Sequence, residues 1–229
     1  LEMPPGWHTY WMDPGASGTE ADIVIDAPTG FKVGPVRYPR PHTLKEPSGT
    51  VNALDGKVTI ALEIRPPRIL HAESVSFPVD IVWLVCQKAC FPVHAAQTLT
   101  LPVTASPGRL TAAGTAAASL PASIAKRPNT RVEITRTAVI IEGAADPNTQ
   151  AGFLPAAWPG VTWGSPRMSK TAQSFSLYIP FAYDPTNGLG RPARLRGLLT
   201  LGRSPRDPSW VLDRPVDIEL GQTTSENTP

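Results

Sequence analysis

Cys86 and Cys90 are the only two cysteines in the 229-residue chain, and three residues separate them. A pair this close fits three chemistries. The first is thiol–disulfide exchange, which needs an attacking thiolate, a second thiol to resolve the mixed disulfide, and room for a partner sulfur. The second is soft-metal binding: with His94, four residues further on, Cys86 and Cys90 make a sulfur-rich set suited to Cu(I). The third is a pair of thiols buried for packing alone. Stapling of the fold is a poor explanation. Chain entropy gives about 2 kcal/mol for so small a loop, against nearly 5 for a loop of about 100 residues. Lys88 lies between the cysteines, either as a solvated loop charge or as a cation that favours a thiolate. Met3, Met12 and Met168 are scattered and form no copper-trafficking array.

The elements that must position these residues are strands. Apolar residues alternate in Val58-Thr-Ile60-Ala-Leu62-Glu-Ile64, in Val75-Ser-Phe77-Pro-Val79-Asp-Ile81-Val-Trp83, and at Leu99, Leu101 and Val103. This period of two predicts half-buried strands of an antiparallel sheet. Cys86 shares parity with Val82 and Leu84, opposite Ile81 and Trp83, so the pattern predicts an exposed pair at a strand end. Turn signals fall between the runs, at Pro28-Thr29-Gly30, Pro47-Ser48-Gly49, Asp55-Gly56 and Pro66-Pro67. Residues 110–119 are rich in Ala and read as a short helix, with Ser106 as N-cap, Pro107 in the first turn and Pro121 ending it. Strands resume at Val132 and Ile134, at Val139 and Ile141, and at Phe175, Leu177, Ile179 and Phe181. Leu195, Leu199 and Leu201, then Val216, Ile218 and Leu220, close the series.

Composition narrows the class. Proline makes up 27 of 229 residues, about 12% against roughly 5% on average, which excludes a long-helix bundle. Charged residues are 17% and hydrophobic residues 41%, too apolar for a disordered chain. No run of about 18 apolar residues offers a membrane span. A net charge of +2 gives no pull toward nucleic acid. The expected fold is all-β: two immunoglobulin-like β-sandwich domains in series, joined by a short Ala-rich helix. The expected boundaries are 1–106 for the first domain, 107–126 for the linker, 127–221 for the second domain and 222–229 for a tail. Phosphate-loop, nucleophile-elbow and metalloprotease motifs are missing. Arg191, Arg194, Arg196, Arg203 and Arg206 form a basic cluster, read as a solvated face or a docking patch.

Three segments carry a family resemblance. Pro5-Gly6-Trp7-His8-Thr9-Tyr10-Trp11, with Asp13-Pro14-Gly15 and Ser17-Gly18, resembles the opening of the N-terminal periplasmic region of DsbD/ScsB-type thiol:disulfide interchange proteins (a disulfide bond corrector DsbC-like domain). Gly34-Pro35-Val36-Arg37-Tyr38-Pro39-Arg40-Pro41 is similar to the family's aromatic-Pro-x-Pro landmark. Val82-Trp83-Leu84-Val85-Cys86-Gln87-Lys88-Ala89-Cys90-Phe91-Pro92 resembles its redox segment, and Thr98 to Pro102 its closing strand. Ala151 to Pro155 and Leu195 to Leu199 are similar, more loosely, to the second domain of the ScsB branch. Where the family commonly has an aromatic Tyr-Gly-Tyr-like segment, this chain has Val51-Asn52-Ala53-Leu54-Asp55-Gly56.

The resemblance implies a periplasmic thiol-disulfide oxidoreductase domain that relays electrons through Cys86 and Cys90 and uses no further cofactor. A membrane reductase or thioredoxin-like donor, on the same or another chain, would reduce the pair. The pair would then reduce an oxidised thioredoxin-fold protein, Cys90 making the mixed disulfide and Cys86 resolving it. Trp7 and His8 belong to the opening motif and read as packing residues at a sandwich edge. The first residues show no signal peptide; with the family's membrane and thioredoxin-like domains missing, the chain reads as a mature chain, either an excised N-terminal region or a stand-alone member. The alternative function is a Cu(I)-binding module for copper tolerance that uses Cys86, Cys90 and His94.

Overall fold

The structure is a computed structural model that describes residues 1–104, 111–146, 148–158, 160–187, 193–204 and 207–217. The chain divides into two compact units, Leu1–Leu120 and Pro121–Pro229. Strand dominates both, and the fold is all-β and immunoglobulin-like.

In the first unit the strands are β1 (His8–Gly15), β2 (Asp22–Ile25), β3 (Lys32–Val33), β4 (His42–Glu46), β5 (Gly49–Asp55), β6 (Ile64–Arg65), β7 (Ser74–Cys86) and β8 (Cys90–Pro102). A six-stranded sheet runs β2-β7-β1-β5-β4, with β8 paired to β7 along its outer side, and β3 pairs with β6 in a separate two-stranded sheet. The β7–β8 hairpin is the longest feature, in register from Ser74↔Pro102 to Cys86↔Cys90. On β7 the odd positions face inward, as the alternation predicts: Val75, Phe77, Val79 and Ile81 are more buried than their neighbours. Phe31 meets the Phe77 ring edge-on, with centroids 5.2 Å apart. The fully buried Trp11 and Tyr38 fill the interior.

Two strand expectations need correction. Residues 58–64 do not form one strand. Beyond the Val58–Leu1 hydrogen bonds, pairing is limited to the Arg37↔Ala61 bridge and the β3–β6 pair, because the facing segment carries Pro35, Pro39 and Pro41, which have no N–H to give to a ladder. Leu99 and Leu101 lie on β8 as expected but are exposed rather than half-buried, since β8 is an edge strand with β7 as its neighbour.

The Ala-rich helix is α1 (Ala112–Ala118). Its N-cap is Thr111, whose hydroxyl accepts from the Gly114 N–H, and it buries no residue. The expected cap at Ser106 and Pro107 lies outside the described residues. The stretch expected as a linker is divided between the units. Leu120 closes the first, its carbonyl accepting from the Arg37 guanidinium at 2.8 Å. Ala122–Ser123 forms β9 of the second.

The second unit continues with β10 (Thr130–Ile134), β11 (Ala138–Ala144), β12 (Ala151–Pro155), β13 (Val161–Trp163), β14 (Arg167–Lys170), β15 (Ser174–Tyr183), β16 (Arg194–Leu201) and β17 (Ser209–Pro215). One sheet runs β10-β11-β15-β13 with β14 also on β15, and the other runs β12-β16-β17-β9. The predicted core positions Val139, Ile141, Phe175, Leu177, Ile179, Phe181, Leu195 and Leu199 are buried in one cluster with Phe153, Trp158 and Leu212. Val216 joins them, while Ile218, Leu220 and the tail lie outside the described residues. In the basic cluster, Arg194 pairs with Asp213 across β16 and β17 at 2.7 Å. Arg191 and Arg206 lie outside the described residues.

Candidate redox site

The site is built on the end of the β7–β8 hairpin. Gln87, Lys88 and Ala89 form the connecting loop, closed by a Gln87 N–H to Ala89 carbonyl bond of 3.1 Å. Cys86 and Cys90 are the last register pair before that loop and are joined as a disulfide, with Cα atoms 4.1 Å apart.

The two sulfurs sit in different surroundings. Cys86 is 1% exposed and clusters with Tyr10 and Val51, with Leu44 and Leu84 packed alongside. Cys90 is exposed. The expectation of a pair exposed together is therefore wrong for Cys86. The parity holds; what differs is the cover. Midway along β7 the even face is open, as Val82 shows by being exposed. At the end of β7 the same face is roofed by residues of β1, β4 and β5. Val51, from the segment 51–56, is an aliphatic part of that cover.

β1 supplies most of the wall. It enters through a turn in which the Trp7 N–H bonds the Pro4 carbonyl at 3.1 Å. Pro5 and Gly6 are the central residues, and Gly6 takes φ +80°, as a type II turn requires at that position. The strand then places His8 opposite Cys86 on one side and opposite Asp55 on the other. Tyr10, two residues along, points to the same face, and its hydroxyl lies 3.6 Å from Cys90 Sγ. Burial, and then the nearby Glu46 carboxylate, push the Tyr10 phenol above its ordinary pKa, so it remains a hydrogen-bond donor. Gly18, at φ +93°, lets the following loop cross the Tyr10 ring: a Cβ there would lie 2.5 Å from Cε2.

Glu46 reaches over this wall from the end of β4. Its Oε1 is 3.1 Å from His8 Nε2, and its Oε2 accepts from Ser17 Oγ at 2.7 Å. His8 meets the Tyr10 ring edge-on at 5.3 Å between centroids. Sequence reasoning assigned His8 to packing, and it is buried. It missed Glu46, which is 38 positions away and has no motif of its own. On the open side, Phe91 is 54% exposed beside Cys90 and 6.1 Å from the Trp7 ring. Lys88 is exposed in the loop.

The three-ligand metal set is not assembled. His94 stands opposite Val82, four residues along β8 from Cys90, which is about 13 Å of strand. Its Nε2 is instead 2.8 Å from Asp80 Oδ2. Among the described residues no group of three His, Cys, Asp or Glu side chains converges as a metal site.

The site is thus a single disulfide at the end of a hairpin, one sulfur buried and the other exposed. Residues 1–102 match the family model described as thiol:disulfide interchange protein DsbD, N-terminal. The first unit is thus similar, over its whole six-stranded sheet, to thiol:disulfide interchange domains. The N-terminal periplasmic domain of ScsB from Proteus mirabilis has a similar solved structure: TM-score 0.56, 16% identity, covering 96% of this chain and 85% of that one. At that identity the likeness bears on the fold, and it extends through both units. No curated protein sequence matches the chain. Among the described residues, no helix is long and apolar enough to cross a membrane.

Proposed function

We propose that the chain is a periplasmic thiol-disulfide relay in which Cys90 exchanges with thioredoxin-fold partners and Cys86 resolves. The observation that carries this reading is the unequal burial of the two sulfurs. A thiolate attacks a disulfide along the line of the S–S bond, and the far sulfur leaves. With Cys86 buried behind Tyr10 and Val51, the open line of approach ends on Cys90. Reduction then proceeds with a donor thiolate bonding to Cys90 Sγ, the Cys86–Cys90 bond breaking, and Cys86 taking the electron pair. A second donor thiolate releases Cys90. In the forward direction the dithiol passes the same two electrons to an oxidised partner. The Tyr10 hydroxyl stabilises sulfur charge at Cys90, and the exposed Phe91 with the half-buried Trp7 supplies apolar contact around it. The placement in the periplasm, with a membrane reductase or thioredoxin-like protein as donor, follows the family and the description of the ScsB domain.

The test is covalent trapping in a periplasmic extract. Cys86→Ser leaves Cys90 to hold its partner and should accumulate a dithiothreitol-sensitive adduct with a thioredoxin-fold protein. Cys90→Ser should not. Equal trapping by both variants, or by neither, overturns the reading.

A further inference from the structure

We propose that His8 is the internal base that deprotonates Cys86 when the mixed disulfide on Cys90 is resolved. The inference rests on the relay reading above and adds a residue to it.

Resolution has a physical difficulty. The resolving sulfur must be a thiolate, yet Cys86 is 1% exposed and lies among apolar side chains. Even an ordinary thiol is only about 3% thiolate at pH 7, and apolar burial lowers that fraction further. Cys90 can lose its proton to water; Cys86 needs a base inside the protein.

The register supplies one candidate. Cys90, Cys86, His8 and Asp55 form a single row across β8, β7, β1 and β5. Residues directly opposite on antiparallel strands share a face, with Cβ atoms about 4.5–5.5 Å apart. His8 is itself buried, and its Nε2 is one of the buried side-chain nitrogens without a hydrogen bond. The Glu46 carboxylate is 3.1 Å from this nitrogen, a contact that is not aligned as a hydrogen bond. A buried imidazole that the register sets next to a buried sulfur, with a carboxylate against its Nε2, is the arrangement that an internal proton transfer needs. The groups facing His8 are Glu46 from β4, Asp55 from β5, the Tyr10 phenol on β1 and Cys86 on β7. Asp55 is exposed and lies 3.8 Å from His42. Glu46, half-buried and held by Ser17, is the carboxylate nearest to His8, and it stabilises the positive charge that His8 acquires with the proton.

The step balances. The Cys90 thiolate first bonds to one sulfur of the partner disulfide, whose other sulfur leaves and takes a proton from water. The Cys86 S–H then gives its proton to His8. The Cys86 thiolate attacks Cys90 Sγ, the Cys86–Cys90 bond forms, and the partner's remaining sulfur leaves with the electron pair. The imidazolium proton passes through solvent to that thiolate. Two electrons have left the pair, and both partner sulfurs end as thiols.

The experiment uses the reduced full chain and glutathione disulfide as oxidant, with acid quenching and mass analysis to separate mixed-disulfide formation from resolution. His8→Gln should form the Cys90 adduct at the wild-type rate and resolve it about a hundredfold more slowly, the lower end of what a general base contributes. Its resolution rate should rise tenfold per pH unit from pH 6 to 8, while the wild-type rate varies less. Glu46→Gln, at a position partly open to solvent, should shift the profile in the same direction. A structural role would change rates without changing the profile. A Cys90 adduct that His8→Gln resolves at the wild-type rate overturns the role of His8 and leaves the relay standing. Should His8→Gln fail to fold, a wild-type resolution rate rising tenfold per unit throughout overturns it equally. Glutathione mapped to Cys86, or no adduct at all, overturns the relay and this inference together.

Discussion

Replacing each cysteine by serine separates the two sulfurs by stability alone. Both variants lose the disulfide. The loop it closes is so short, four positions apart in sequence, that chain entropy assigns the bond only about 2 kcal/mol. Cys90→Ser should cost about that much, because position 90 is exposed and the freed Cys86 thiol left behind packs as a small apolar group. Cys86→Ser carries a second cost. It sets a hydroxyl among Tyr10, Val51, Leu44 and Leu84, and an unsatisfied buried hydroxyl costs roughly 1–3 kcal/mol. The total should be about 3–5 kcal/mol. Hydrogen exchange read by mass on peptides from β5 and β7 measures the opening free energy of the first unit without interference from the second. Equal losses, or a larger loss for Cys90→Ser, would refute the assignment of Cys86 as the buried sulfur.

Other outcomes follow from the same geometry. Gly18→Ala sets a Cβ against the Tyr10 ring at a positive φ. It should lower the thermal midpoint and cost about 1–3 kcal/mol, and an unchanged midpoint would show that the loop adapts freely. The raised Tyr10 pKa means that the folded state holds this proton more tightly than the unfolded chain. Stability from this group is therefore complete below about pH 10 and declines as pH rises toward the folded value. In urea unfolding from pH 9 to 10.5, Tyr10→Phe should lose stability with pH less steeply than wild type; parallel curves would remove Tyr10 as the cause. His94→Ala breaks an exposed pair with Asp80, so it should cost under about 1 kcal/mol and leave the glutathione exchange rate unchanged. A slowed exchange would bring His94 back into the site.

Much of this architecture is legible in the letters, for a definite reason. In β7 and β15 the apolar residues recur at every second position, and over most of each strand those positions are the more buried ones, so alternation reports burial directly. Residues 58–64 show the same alternation and fail to form a ladder, since strand pairing depends on the partner, and the partner there is broken by prolines. Cys86 shows the complementary failure. Alternation tells which residues share a face, not how far along the strand that face is covered. The cover comes from Tyr10, Leu44 and Val51, each distant in sequence. His8 is legible as a packing residue, but its contact with Glu46 depends on β4 and β1 lying in one sheet with β5 between them, which no local pattern records. His94, close to Cys90 in sequence, is separated from it by strand geometry: four residues of extended chain place side chains far apart, where four residues of helix would bring them together.

The central claim is that Cys86 and Cys90 are the working part of the chain and the sheet is the frame that presents them. A redox titration of the full chain against glutathione or dithiothreitol buffers, with thiols counted by mass, tests this most directly. The account predicts one reversible two-electron transition between about −120 and −270 mV, the range of exchange proteins. A pair that stays oxidised below about −300 mV, as structural disulfides do, or that remains as free thiols throughout, would contradict it.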